Sequence, residues 1–297
     1  MLELLESLAR ELETSPDFRV LRRLQPRETF ADRQDDTRIG IVLDCETTGL
    51  NPSQDEIIEL GMLKFSFTSD GQVLRVLDAF DELRQPSAPI PPEITRLTGI
   101  TDEIVEGRSI EASEVEAFVA DAAIVIAHNA RFDRAFTERA WTVFRGIDWA
   151  CSHDQIPWRE HGYEGTKLAH LLAHQGRFFD AHRAEDDCRA LLHLLASPFV
   201  PEGQSALSIL LGKAGETAIR VHAVGAPFSA KDMLKGRGYR WNDGSEGAPK
   251  AWWKEFSPAE YELELAFLSA NVYGGRRVSL PTAEITARER YSSSLPR

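Results

Sequence analysis

The stretch IGIVLDCE (39–46) constrains this chain more than any other. A short apolar run followed by the turn-forming TTGLNP reads as a strand buried on both faces. Yet the run carries Asp44 and Glu46 at its end. The two-residue period of a strand puts both carboxylates on one face, a few ångströms apart. Like charges beside a low-dielectric core force one group to keep its proton unless a cation lies between them. Carboxylate oxygens suit hard divalent ions such as Mg²⁺ or Mn²⁺. The pair points to a metal site, although an acidic strand end facing solvent would carry the same letters.

The surrounding pattern places this strand in a larger unit. IIELGMLKFSF (57–67) and QVLRVLDAF (72–80) predict two further strands joined by the turn SDG. Helical material is expected from about Pro91 and again from Glu111 to Asp121. AAIVIAHN (122–129) predicts another buried strand, feeding a helix with Phe132, Phe136 and Ala140 on its apolar side. A strand near 149–155, a helix near 165–175 and a last helix from about 183 to 196 complete the unit, with Pro198 and Pro201 marking its end. Three strands followed by alternating helices and strands imply an α/β fold, a mixed sheet with helices on both faces. We expect three parts: a helical extension and linker over 1–38, the main domain over 39–200, and a small α+β module over 201–297. In the first part, Leu2, Leu5, Leu8 and Leu12 predict a helix, a second amphipathic piece follows around Phe18, Leu21 and Leu24, and 27–38 read as a polar linker. The extension is expected to pack as an extra helix on the main domain.

Two more clusters carry chemistry. In HNARFD (128–133), His128 and Asn129 fall at the carboxyl end of a strand and Asp133 in the first turns of the next helix. Crevices beyond the carboxyl ends of strands are where open α/β sheets bind ligands. An early Asp also suits a helix dipole, and Asn129 also suits an N-cap. In HRAEDD (182–187), His182 and Asp187 are five apart, about 140° around a helix. They share a site only if His182 lies on the entering loop. An exposed His before an acidic helix start is the plainer reading, and Glu185 and Asp186 are expected to be solvated.

Taken in order, D-x-E-T-T-G, then H-N-A-x-F-D, then H-x-A-x-x-D resembles the three motifs of the DnaQ-like (DEDDh) 3′→5′ exonuclease superfamily. That family includes the proofreading epsilon subunit of bacterial DNA polymerase III. The likeness covers roughly residues 39–197, and PPEITRLTGIT (91–101) resembles the family segment before the second motif, with Thr98 where a histidine is often found. The resemblance implies a ribonuclease H-like fold. It also implies metal-binding roles for Asp44, Glu46, Asp133 and Asp187, a general base in His182, and substrate contacts at Thr47, Leu50 and Asn129. Two divalent cations, Mg²⁺ or Mn²⁺, would balance the acids and flank an in-line displacement at phosphorus. A neutral imidazole can take a proton from water near physiological pH. The implied product is a nucleoside 5′-monophosphate. The implied partner is a nucleic acid 3′ end, DNA favoured over RNA, in proofreading or repair, with a DNA polymerase as a further candidate partner. The same-class rival trims short RNA. A non-catalytic binding subunit would be expected to lack one of the acids, and a nucleotide phosphatase would not prefer polymers.

A net charge of −13 argues at first against a nucleic-acid partner. The distribution alters that reading: residues 1–200 hold 21 Lys/Arg against 36 Asp/Glu, whereas 201–297 hold 13 against 11. An enzyme that admits only a strand end needs few phosphate contacts, and bound cations supply positive charge. Cys45, Cys151 and Cys188 are too few for a disulfide framework, which suits a cytoplasmic protein. Neither a signal peptide nor a long apolar span is visible, so no membrane association is expected. QSALSIL and RRVSLP fit a sliding-clamp peptide poorly.

The late basic material predicts a βαββα-like module over 217–273. AIRVHAV and KAWWKEF read as strands, with NDGSEGAP a turn between them. Ser229 with Asp232 and Ser257 with Glu260 resemble capping boxes. Residues 213–254 hold eight Lys/Arg against four Asp/Glu, interleaved with Tyr239, Trp241, Trp252 and Trp253. Cations beside stackable rings suit a single-strand grip, and Tyr239 and Trp241 should share a strand face. A tiny domain also needs large aromatics to build a core.

Overall fold

The computed structural model describes residues 1–32, 36–199, 203–244 and 249–292. Its strands are β1 (Arg22–Arg23), β2 (Thr37–Thr47), β3 (Ile57–Thr68), β4 (Val73–Leu83), β5 (Ile124–Ala127), β6 (Trp149–Cys151), β7 (Arg177–Phe178), β8 (Ala218–Ala223), β9 (Arg240–Asn242), β10 (Ala251–Phe256) and β11 (Thr282–Ile285). The α-helices are α1 (Leu2–Glu13), α2 (Pro92–Thr98), α3 (Asp102–Val105), α4 (Ala112–Val119), α5 (Ala130–Ala140), α6 (Ser152–Gln155), α7 (Leu168–His174), α8 (Ala184–Ala196), α9 (Ala206–Gly215), α10 (Lys231–Gly236) and α11 (Pro258–Asn271).

The main sheet runs β4-β3-β2-β5-β6, with β2, β3 and β4 antiparallel and β2, β5 and β6 parallel. This is the expected mixed sheet, and β2 lies at its centre. Successive β2 residues feed opposite cores, as strand alternation requires. Val42 packs with Leu63, Ile126 and the inner faces of α7 and α8, whereas Ile41 and Leu43 pack with Leu60, Met62 and the inner faces of α4 and α5. Helices therefore cover both faces. The strand expected near 149–155 stops at Cys151, and a single helical turn follows.

The packing does not divide near residue 200. Ala206, Leu207, Leu210 and Ala214 of α9 lie in the same core as Leu191 and Leu194 of α8. The Ser205 hydroxyl donates to the carbonyl of Gly71, fixing α9 against the β3–β4 turn. At the other end, buried Arg134 on α5 donates to the carbonyls of Arg288 and Arg290 and pairs with buried Glu138. Tyr291 fills the core beneath α5. An apolar α9 and a hydrogen-bonded tail are thus drawn onto the main sheet, leaving β8–β11 as a separate sheet in the order β11-β8-β10-β9.

The N-terminal segment departs from expectation. α1 forms, but Leu4, Leu5, Leu8 and Leu12 are exposed, so it does not pack as an extra helix through these leucines, and the Leu2 side chain lies outside what is described. Arg22 instead ties the chain to Glu6 and Glu13. The piece around Phe18, Leu21 and Leu24 is extended, and its Arg22–Arg23 pairs in parallel with β7. Nor is all of 27–38 linker: Phe30 N–H donates to the Leu74 carbonyl and Val76 N–H to the Glu28 carbonyl. The physical cause is the open edge of β4, whose unpaired backbone groups take any neighbouring chain.

In the C-terminal module, Ser257 and Glu260 form the expected capping box with Pro258 in the first turn. The one expected at Ser229 does not form, because Phe228–Ala230 is a 3₁₀ turn and Ala230 takes the N-cap position. Tyr239 is buried with its hydroxyl donating to Glu264, while Trp241 is half-exposed against the Trp252 ring. Trp253 is buried beneath Arg220 and Arg240. Rings that suggested a stacking face are largely consumed in building a small core. Part of the turn NDGSEGAP, residues 245–248, and Pro201 lie outside the described residues. A cleft of about 500 Å³ lies between the two sheets, lined by Arg131 and Gln155 on one side and Arg220 and Trp253 on the other.

Candidate active site

Three elements meet at the carboxyl end of β2. The strand delivers Asp44 and Glu46, and its register with β3 slips just beyond, between Glu46 and Thr47, where the chain turns away. α8 brings Asp187 from one face, because its first turn packs on β2 and β3. Carboxylate oxygens of Asp44, Glu46 and Asp187 lie within 4.8 Å of one another. α5 brings Asp133, whose Oδ1 accepts the Cys45 N–H at 3.2 Å and the Cys45 thiol at 3.4 Å. Asp133 is thereby fixed to the residue between the two strand acids.

His182 lies on the entering loop, not on the helix, since α8 begins at Ala184 with Arg183 as its N-cap. Its backbone is left-handed, φ 73°, and its N–H donates to Asp187 Oδ2 at 2.8 Å. The side chain is exposed. This meets the condition under which His182 and Asp187 share one site.

The electrostatics are those of acids buried close together. Burial raises the Asp44 carboxyl well above the usual range, and the charges of Asp133, Asp187 and Glu46 add to it. Burial, then the charges of Asp187 and Glu59, push Glu46 up to about 8. Asp133 rises to about 7 through burial, despite the bonds from Cys45. Burial also lifts Asp187 to about 6, against the N–H groups of His182 and Arg183. Each group pays less to ionise once a cation enters, and an all-oxygen donor set of this spacing fits a hard divalent ion.

The remaining expected contacts are less concentrated. Thr47 is buried and its hydroxyl donates to the Gly49 carbonyl, so it shapes the turn. Leu50 is 83% exposed on that turn. Asn129 is exposed at the N-cap position of α5 but its side chain caps nothing. His128 is held by the Ser152 hydroxyl and the Thr166 carbonyl, and burial lowers it to about 4, so it is a neutral strut. Thr98 likewise turns inward, bonded to Ile94 and Ile100. Glu185 pairs with Arg189, and Asp186 is exposed. Sequence reading passed over Glu59, a fully buried acid opposite Glu46 on β3. An acid inside the apolar run IIELGML was the available signal, because such a group requires a partner.

A mixed five-stranded sheet with carboxylates gathered at the end of its central strand defines a nuclease of ribonuclease H-like architecture. The RNase_T exonuclease family model matches residues 41–195, and the chain belongs to that family. Among curated relatives, a PolC-type DNA polymerase III of Thermotoga maritima is 40% identical over 133 residues, 44% of this chain and 9% of that protein. A PolC-type DNA polymerase III of Clostridium perfringens is 30% identical over 165 residues, 54% of this chain and 11% of that protein. The chain thus spans about a tenth of the length of these relatives. Among solved structures, exonuclease X in complex with 5′-overhanging duplex DNA covers 57% of this chain and 99% of its own, at 20% identity and a TM-score of 0.40.

Proposed function

We propose that this exonuclease removes nucleotides from the 3′ end of DNA with two divalent cations, Mg²⁺ or Mn²⁺, releasing nucleoside 5′-monophosphates in proofreading or repair. The observation that carries the reading is the convergence of Asp44, Glu46 and Asp187 within 4.8 Å, with Asp133 fixed alongside and His182 on the adjoining loop. The nearby cation Arg183 is already paired with Glu59, which leaves the cage negative.

In this reading Asp44, Glu46, Asp133 and Asp187 hold the ions. Bound there, the ions would supply charge stabilisation for the attacking and leaving oxygens of the displacement. His182 takes a proton from the attacking water, whose oxygen bonds to phosphorus as the bond between phosphorus and the 3′ oxygen breaks, and that oxygen leaves on the shortened strand and takes up a proton from solvent. Exposed Leu50 and Asn129 contact the terminal nucleotide, and Thr47 holds the turn that presents Leu50. DNA is favoured because the matched relatives are named as DNA polymerases. Such a polymerase is the candidate partner. Three buried free cysteines suit a cytoplasmic setting, and among the described residues no helix is long and apolar enough to cross a membrane.

The test is incubation with end-labelled single-stranded DNA, duplex DNA and RNA, each with Mg²⁺ or Mn²⁺ and with excess EDTA. Stepwise shortening from the 3′ end, faster on DNA and abolished by EDTA, is expected. Faster digestion of RNA would transfer the assignment to a trimming ribonuclease, and full activity in EDTA would remove the metal site.

A further inference from the structure

The buried acid Glu59 lies outside the proposed metal set, and we infer that the Glu59–Arg183 pair is a positioning device that holds the His182 loop for hydrolysis. The inference rests on the reading of His182 as general base. Glu59 is fully buried near the start of β3, directly opposite Glu46. Its Oε1 accepts Arg183 Nε at 2.9 Å and Nη2 at 2.6 Å, and its Oε2 accepts the Ala184 N–H at 2.9 Å. Both oxygens are engaged, which sets Glu59 apart from the metal-binding acids. Asp133 and Asp187 each commit one oxygen to the bonds described.

Three consecutive N–H groups, those of His182, Arg183 and Ala184, thus end on two carboxylates from different elements. That matters because Arg183 at the N-cap offers the helix no side-chain cap of its own. It matters also because His182 adopts φ 73°, a conformation a β-carbon disfavours and that surrounding bonds must enforce. Glu59 reaches the helix start because Gly61, two residues along the same face, lets the strand approach closely. A β-carbon at Gly61 would lie 2.5 Å from the Ala184 carbonyl carbon. Seat and clamp therefore come from one rigid strand, and the loop carrying His182 has little freedom to swing away from Asp187.

The experiment is steady-state kinetics on a short end-labelled single strand, with thermal unfolding of every variant. Glu59→Gln keeps an acceptor for Ala184 but loses the ion pair, and Arg183→Ala removes the clamp. Each should lower kcat about 10- to 100-fold. KM should move by less than about threefold, because the substrate is not touched. Arg183→Lys should recover part of the rate. In a His182→Ala background, adding Arg183→Ala should cost nothing further, since the pair acts through the histidine. Equal losses in both backgrounds, an unchanged kcat, or a loss that follows the unfolding temperature would each overturn the proposal. A His182→Ala protein as active as the wild type would overturn the base assignment itself, a result separable from the others.

Discussion

Replacing Glu46 by Gln should stabilise the metal-free protein increasingly as pH rises above about 4.5, with nothing gained below it. The Glu46 carboxyl is lifted from 4.5 to about 8, chiefly by burial and then by the charges of Asp187 and Glu59. The folded state therefore holds this proton more tightly than the unfolded chain. Stability is fully retained below the unfolded value, falls as pH rises towards 8, and levels off above it. At 1.36 kcal/mol per pKa unit the limit is ~5 kcal/mol. Because the site is partly open to solvent and its acids titrate together, about 1–3 kcal/mol is expected for the single change. Gln mimics the protonated acid and removes this group's part of the slope. Urea unfolding in EDTA, from about pH 5 to 9, reads it directly: the variant should match the wild type at the acid end and exceed it at the alkaline end. Excess Mg²⁺ should restore the wild type and not the variant, by mass action. Parallel curves for the two proteins across the whole range would refute an electrostatically strained cage.

Asp44→Ala and Asp187→Ala should each abolish nucleotide release while near-UV circular dichroism stays native, since each removes a proposed metal ligand and relieves repulsion. His182→Ala should lower kcat by about two to four orders of magnitude with metal binding retained, checked by titration calorimetry. Arg134→Ala should destabilise the fold by about 3–5 kcal/mol in urea titrations, because it leaves Glu138 buried and frees the tail carbonyls. For the C-terminal module as a nucleic-acid grip, truncation after residue 200 would strip α9 and Tyr291 from the core. Trp241→Ala is the cleaner probe: it should weaken binding of long strands about 5- to 100-fold in a fluorescence anisotropy titration if that ring stacks on a base. Unchanged affinity would leave the module without that role.

Local pattern was enough to locate the centre of the molecule. A buried strand ending in two acids, a second strand ending in His128 and Asn129, and a loop carrying His182 before an acidic helix are all properties of short segments. Their hydrophobic period is set by backbone geometry. The capping box at Ser257 and the turn at Gly71 were legible for the same reason, since each is a bond or dihedral within a few residues. Sequence could not say that α9 closes the main core, that the tail at Arg288–Arg290 bonds to Arg134, or that residues 28–30 run along β4. Those depend on which apolar face and which open strand edge happen to be left unfilled once the sheet has formed. The same holds for the aromatics of the C-terminal module, where sequence showed rings and only packing decided that Tyr239 and Trp253 are interior. Glu59 shows the division most plainly. Its letter in β3 announced a buried charge needing a partner, but Arg183 lies 124 residues away, and only the close approach at Gly61 brings the two together.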